Sequence, residues 1–137
     1  MKYRHTKINP CRVCEGYHEM KRGIGQRCNG ETNEGLIESY IHNGGRVGSI
    51  VEISCETDFV ARTEEFIKCA KEIAMQVAAM SPISINKEDN EDYEDEQILE
   101  LQAYIRDYSK TVGEVEKELS ARVGENIVIK KNTFYFL

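Results

Sequence analysis

The chain has 137 residues, of which 40% are hydrophobic and 31% are charged, as is typical of a soluble globular domain with a modest core. It has no apolar run near the ~20 residues that a membrane-spanning helix needs, and no apolar stretch typical of a signal peptide. We therefore expect a cytoplasmic protein without membrane contact. The net charge of −6 argues against a whole-surface nucleic-acid binder, and five cysteines, an odd number, argue against a disulfide framework.

Residues 1–34 form a basic, cysteine-rich segment with too few apolar residues for a core of its own. Zinc favours four thiolate or imidazole ligands in a tetrahedron, and a Cys-x-x-Cys turn supplies two of them. The segment therefore predicts a zinc knuckle with the ligands Cys11, Cys14, His18 and Cys28, and His5 is an alternative fourth ligand. A metal would supply folding energy that the segment lacks, and the alternative is a reduced basic tail. With metal bound, the knuckle could contact nucleic acid or the ribosome.

The pattern changes after residue 34, and residues 35–137 are predicted to form the core domain. Residues 36–42 and 46–55 are strand-like and are joined by Asn43-Gly44-Gly45, a strong hairpin signal because these residues tolerate positive φ. In the second strand, alternate residues from Val47 to Cys55 share one face. Cys55 and Cys69 lie inside apolar patterns and are expected to be small core residues.

Residues 63–80 show helical periodicity, with one apolar stripe formed by Phe66, Ala70, Ile73 and Val77. Ser81-Pro82 should end this helix, because a residue before proline avoids helical dihedrals. Residues 83–97 form an acidic variable segment that we expect to be solvated and mobile; eight acids stand against one lysine in residues 86–100. The periodicity of residues 98–108 is mixed and indicates neither a helix nor a strand.

Thr111 and Glu114 have the spacing of a capping box, which predicts a short helix lined by Val115, Leu119 and Val123. Gly124 suits its C-terminal cap. Residues 127–136 then predict a closing strand. Strict alternation would place Val128, Phe134 and Phe136 on one of its faces and Ile127, Ile129 and Tyr135 on the other.

Together these elements predict an α+β fold, in which a small antiparallel sheet, made of the hairpin and the C-terminal strand, is covered by helices on one face. Nucleotide-binding loops, zinc-protease motifs and serine-hydrolase motifs are all missing from the sequence. The three histidines are scattered, so no catalytic set is indicated. We expect a binding protein and not an enzyme.

Two long stretches carry a resemblance to a known family. ETNEGLIESYIHNGGRVGSIVEISCETDFVARTEEFIKCAKEIAMQVAAMSP, residues 31–82, closely resembles the core of the elongation factor Ts family, whose members are nucleotide exchange factors of elongation factor Tu. KTVGEVEKELSARVGENIVIKK, residues 110–131, resembles the family's last helix, turn and strand. The resemblance implies the fold of the family's dimerisation domain, and a partner that is elongation factor Tu in its GDP-bound and nucleotide-free forms.

The sequence departs from the family pattern in two places. Residues 1–34 stand where the family has an N-terminal helical module that also contacts elongation factor Tu. The long helical segment between Pro82 and the last helix is reduced to the acidic stretch. The ending resembles the short, single-core form of the family, and that resemblance implies a homodimer.

The resemblance also implies the partner-binding residues. Asp58 and Phe59, after Thr57, match the family's wedge, which enters the nucleotide domain of elongation factor Tu beside its Mg²⁺ site. Val123, Gly124, Glu125 and Asn126 match a second contact, on the phosphate side. The alternative for the first turn is a Thr57 helix cap with Phe59 and Val60 in the core, and the alternative for the second is a glycine cap followed by a strand. Arg62 is interpreted as a support for the first turn.

The sequence is compatible with two functions. The first is guanine-nucleotide exchange on elongation factor Tu, with Asp58 and Phe59 as the wedge. The second is a module that binds elongation factor Tu without exchanging its nucleotide, as a subunit or scaffold of another assembly.

Overall fold

A computed structural model of the chain describes residues 31–89 and 92–137. The zinc ligands predicted at Cys11, Cys14, His18 and Cys28, and the alternative His5, lie outside the described residues. The helices and strands, in chain order, are β1 (Glu34–Ile41), β2 (Val47–Cys55), α1 (Asp58–Ala61), α2 (Glu64–Met80), β3 (Ala103–Tyr104), β4 (Asp107–Thr111), α3 (Val112–Val123) and β5 (Val128–Phe136).

The described residues form a three-stranded antiparallel sheet in the order β1-β2-β5, as predicted from the hairpin and the closing strand. Gly44 and Gly45 both have positive φ, 93° and 68°, which the tight turn between β1 and β2 requires. Ser49, Val51, Ile53 and Cys55 are buried on one face of β2, as the alternation predicted.

Helix α2 covers that face of the sheet. Its apolar stripe, Phe66, Ala70, Ile73 and Val77, is at most 1% exposed, and Thr63 caps its first turn by accepting a hydrogen bond from the Phe66 amide. The helix ends at Ser81, whose φ is 48°, directly before Pro82. Both Cys55 and Cys69 are buried free thiols, which confirms the prediction that they are core residues.

Helix α3 begins with the predicted capping box, in which Thr111 accepts from the Glu114 amide and the Glu114 carboxylate accepts from the Thr111 amide. It ends at Gly124, in the left-handed conformation with φ 73°, as predicted. Leu119 is buried, while Val115 and Val123 are half-buried against the core.

The face assignment predicted for the closing strand is wrong. Glu52 pairs with Lys131 but Ile53 pairs with Ile129, so Lys130 is an extra residue in β5. Such a bulge reverses the alternation of side chains beyond it. Ile129 and Phe134 therefore share the helix-covered face, and Val128 shares the open face with Tyr135.

Residues 98–108 contain structure that periodicity did not reveal. A 3₁₀ turn at Leu99–Leu101 leads into the β3-β4 hairpin, a second, two-stranded sheet. Buried Gln76 of α2 holds this hairpin: its side chain donates to the Ala103 carbonyl at 3.1 Å and accepts from the Ile105 amide at 2.9 Å.

The described part of the acidic segment is attached to the core at its ends. Ser84 forms a parallel bridge with Ile98, and Asn132 of β5 donates to the Pro82 carbonyl at 3.4 Å. A 3₁₀ turn at Asp95–Gln97 carries its own capping box from Glu94. No helix of residues 31–89 and 92–137 is long and apolar enough to cross a membrane.

Candidate functional site: a turn with an exposed phenylalanine

The junction between β2 and α2 presents one aromatic side chain to solvent. Phe59 is 82% exposed, although its neighbours Val60 and Cys55 are buried. Helix α1 is a single turn, and the Arg62 and Thr63 amides close it on the carbonyls of Asp58 and Val60. Val60 is therefore core, as predicted, while Phe59 is not, and this excludes the alternative in which both residues pack inside.

Asp58 lies beside Phe59 and is held from within the same turn. Its carboxylate forms an ion pair with the Arg62 guanidinium at 3.2 Å, four residues later. The Arg62 side chain is largely exposed and the Asp58 side chain is half exposed, so the pair contributes little to stability. It restricts the orientation of Asp58, which agrees with the interpretation of Arg62 as a support.

Thr57 occupies the N-cap position of α1, but its hydroxyl is directed away from the helix. The Thr57 hydroxyl donates to Glu125 Oε1 at 2.5 Å, and the Thr57 amide donates to Glu125 Oε2 at 3.0 Å. The alternative interpretation predicted that the Thr57 side chain would cap the helix. It instead contacts Glu125, 68 residues later in the chain. Sequence reasoning did not find this contact, because no pattern links residues so far apart.

The second predicted contact region, residues 123–126, lies directly against this turn. The Asn126 amide donates to Glu56 Oε1 at 2.8 Å. The carboxylate of each turn therefore accepts a hydrogen bond from a backbone amide of the other turn. Gly124 caps α3 through a bond from its amide to the Ser120 carbonyl at 2.9 Å. The structure thus brings all seven predicted partner-binding residues into one surface region.

The thiol of Cys55 lies beneath the two turns. It donates to the Thr57 carbonyl at 3.1 Å. Burial, together with the negative charge of Glu125, raises the pKa of Cys55 to about 11. A thiol with so high a pKa stays protonated and unreactive at neutral pH, so Cys55 acts as a hydrogen-bond donor that fixes the turn.

The geometry of the two turns offers a surface for binding. Within residues 31–89 and 92–137, no three His, Cys, Asp or Glu side chains are placed to hold a metal ion. The exposed groups at the site include the aromatic ring of Phe59, the ion pair of Asp58 and Arg62, and the polar backbone of two turns. Such a surface suits contact with another macromolecule.

Comparison with known proteins gives a consistent assignment. The family model described as "Elongation factor TS" matches residues 24–97 and 56–135. Proteins named elongation factor Ts from Caldanaerobacter subterraneus subsp. tengcongensis and Thermoanaerobacter sp. strain X514 are 43% and 41% identical over 134 residues, covering 72% of this chain. The one from Rubrobacter xylanophilus is 36% identical over 141 residues, covering 78% of this chain and 72% of its own length.

The first two relatives are matched over 66% and 65% of their own lengths, just under two thirds. The family model matches both turns of the site and all the helices and strands around them. The match ends at residue 135, one residue before the end of β5. The α+β fold, the position of the turn after β2 and this match together show that the chain belongs to the elongation factor Ts family.

Proposed function

We propose that the chain is a guanine-nucleotide exchange factor for elongation factor Tu, and that it accelerates GDP release by inserting Phe59 and Asp58 beside the partner's Mg²⁺ site. The observation that carries the proposal is the 82% exposure of Phe59 on a turn anchored on both sides by buried residues. A large aromatic side chain held outside the core contributes favourable free energy only when a partner buries it.

Exchange of this kind needs binding and no covalent step. Mg²⁺ requires near-ideal octahedral geometry and bridges the nucleotide phosphates, so a small displacement of its ligands weakens GDP binding. The factor and the nucleotide then lower each other's affinity for elongation factor Tu by the same ratio. In this proposal Phe59 supplies the contact, Asp58 the adjacent negative charge, and Arg62 the support for Asp58.

The test is release of fluorescent GDP from elongation factor Tu. The chain should accelerate release, and Phe59→Ala should reduce the acceleration on the order of 30-fold, the effect of losing a contact worth about 2 kcal/mol. Tyr108→Ala is a matched control, because Tyr108 is an equally exposed aromatic, 79%, on β4. Equal losses from both substitutions would contradict the assignment of Phe59.

The same assay separates exchange from simple binding. A complex that forms on size-exclusion chromatography while GDP release stays unchanged would identify a module that binds elongation factor Tu without exchange activity. Absence of both complex and acceleration at micromolar concentrations would remove elongation factor Tu as the partner.

We also propose that two chains pair through the open face of the sheet. In the described residues helix α2 covers one face only, and the other face carries Ile37, Ile41, Ile50 and Tyr135, which are 45% to 71% exposed. These side chains are neighbours across the strands, since Ile41 and Tyr135 both pair with Gly48 and Ile37 lies diagonal to Ile50. An exposed group of large apolar side chains on an uncovered sheet face is typical of a protein-protein interface.

A further inference from the structure

Two carboxylates join the turn that carries Phe59 to the turn after α3. Glu125 accepts two hydrogen bonds from Thr57, one from its amide and one from its hydroxyl. Glu56 accepts one from the Asn126 amide. Hydrogen bonds to an ionised acceptor are about twice as strong as neutral ones, so these three bonds are the strongest polar links between the turns that the structure gives.

Phe59 has few other restraints. Helix α1 has four residues, too few to be stable by itself, and Phe59 projects into solvent. Its position is fixed on the C-terminal side by buried Val60 and on the N-terminal side by Thr57. The Thr57 carbonyl accepts from the Ala61 amide of α1, whereas the Thr57 amide and hydroxyl both donate to Glu125. The direction of the aromatic ring therefore depends in part on a residue 68 positions away.

An ionised carboxylate can only accept hydrogen bonds, and both oxygens of Glu125 already accept from Thr57. These bonds take one acceptor site on each oxygen and hold the carboxylate against Thr57. The geometry therefore gives Glu125 an internal role in addition to the partner contact that the family resemblance implied.

We infer that Glu125 and Glu56 are positioning residues, which act on exchange by fixing Thr57, and through it Phe59, against the turn after α3. The inference rests on the proposed function for its effect on GDP release, but the hydrogen bonds themselves can be tested on the free chain. It also assigns a role to Glu56, which neither the sequence pattern nor the family resemblance singled out.

The first measurement is amide hydrogen exchange on the free chain, without elongation factor Tu. Glu125→Ala should speed exchange of the Thr57 amide about tenfold or more, because it removes an acceptor in a charge-assisted bond. Glu125→Gln, which keeps one acceptor oxygen, guards against misfolding of the alanine variant and should give a smaller increase. Unchanged protection of the Thr57 amide in both variants would overturn the inference.

The second measurement is the rate of GDP release as a function of factor concentration. A loosened turn should lower the maximal rate about tenfold, since a misplaced group loses effect at the reacting site even when the complex forms. Loss of a direct partner contact would instead raise the half-saturating concentration and leave the Thr57 amide unchanged, and that result would also overturn the inference.

Glu56 supplies a matched pair of variants. Glu56→Gln keeps an amide oxygen that can accept from the Asn126 amide but loses the charge, so it should lower the maximal rate less than Glu56→Ala, which should also speed exchange of the Asn126 amide more. Equal losses from both would contradict the positioning role.

The two proposals fail in different ways. If the unmodified chain does not accelerate GDP release, the proposed function fails and the effect on exchange fails with it, while the hydrogen-exchange result still decides whether the two turns are held together. If Phe59→Ala blocks release but Glu125→Ala does not, the proposed function stands and the positioning role is refuted.

Discussion

The side chain of Ile41 lies over the backbone of Gly48 on the open face of the sheet, so closely that a Cβ at residue 48 would be 2.7 Å from Ile41 Cδ1. Ile41 is nevertheless 65% exposed, and Tyr135 borders the same glycine from the other side. The missing side chain at Gly48 leaves the space that the Ile41 side chain occupies on the open face, next to Tyr135.

This relationship gives a test of the proposed dimer. Tyr135→Lys should convert a dimer into a monomer at micromolar concentration, because it places a charge among the apolar side chains of the open face. Sedimentation equilibrium would measure the mass. Tyr108→Lys, at an exposed tyrosine on β4 outside the three-stranded sheet, is the control and should leave the mass unchanged. A monomer for the unmodified chain would contradict the pairing.

The bulge at Lys130 changes which substitution is informative. Under strict alternation, Phe134→Lys would test the interface, but Phe134 packs against the helix-covered core. We expect Phe134→Lys to lower the melting temperature of the chain, whereas Tyr135→Lys should leave the monomer fold intact. Thermal unfolding of both variants compares the two faces directly.

Glu116 should make stability depend on pH. Its Oε2 atom is buried without a hydrogen-bond partner among the described residues, and burial, reinforced by the charge of Glu100, raises the pKa of Glu116 to about 8, with Lys117 acting in the opposite direction. An unfolded glutamate ionises near pH 4.5. The folded state therefore holds the extra proton between these two values, so the free energy of unfolding should fall as pH rises from about 4.5 to 8 and then level off.

Glu116→Gln should remove this dependence and stabilise the chain above pH 8 by about 2 kcal/mol, because the amide carries no charge to bury. Urea unfolding at several pH values would measure it. Glu118→Gln, on the same helix but at an exposed position, should preserve the slope. A free energy of unfolding that stays constant between pH 5 and 8 would contradict the prediction.

Gly35 should tolerate no side chain. Its φ is 149°, and a Cβ there would lie 2.2 Å from the Ile53 carbonyl oxygen, a backbone atom that cannot move aside. Gly35→Ala should therefore destabilise the fold by about 2 kcal/mol or more. Gly45→Ala is the control, because φ is also positive at Gly45 but a Cβ would meet nothing within 4 Å, so its cost should be nearer 1 kcal/mol. Denaturant midpoints of the two variants give the comparison.

The zinc prediction stays a prediction. If Cys11, Cys14, His18 and Cys28 hold zinc, the purified chain should contain about one zinc per molecule by elemental analysis, and Cys11→Ser with Cys28→Ser should abolish it. His5→Ala compared with His18→Ala would identify the fourth ligand. A metal-free chain would support the reduced basic tail.

The nucleic-acid contact is tested separately. Salt-sensitive RNA binding that disappears when residues 1–34 are removed would support it.

Local features of the fold could be predicted from the sequence because neighbours in the chain decide them. Asn43-Gly44-Gly45 allows the dihedrals of a tight hairpin, and the Thr111-Glu114 spacing places two complementary groups one helical turn apart. The stripe from Phe66 to Val77 faces the core for the same reason, since helical period alone brings these residues to one side. The β3-β4 hairpin escaped prediction because Gln76, far from it in sequence, satisfies its backbone.

Tertiary structure decided the features that depend on residues distant in sequence. The bulge at Lys130 is set by pairing with Glu52 and Ile53, so alternation along β5 alone assigned the wrong faces. The sequence around Phe59 was compatible with a buried or an exposed ring, and only the packing of Val60 and Cys55 beneath the turn left Phe59 outside. The contact between Thr57 and Glu125 requires the fold to bring together the ends of β2 and α3, and no local pattern of either segment contains that information.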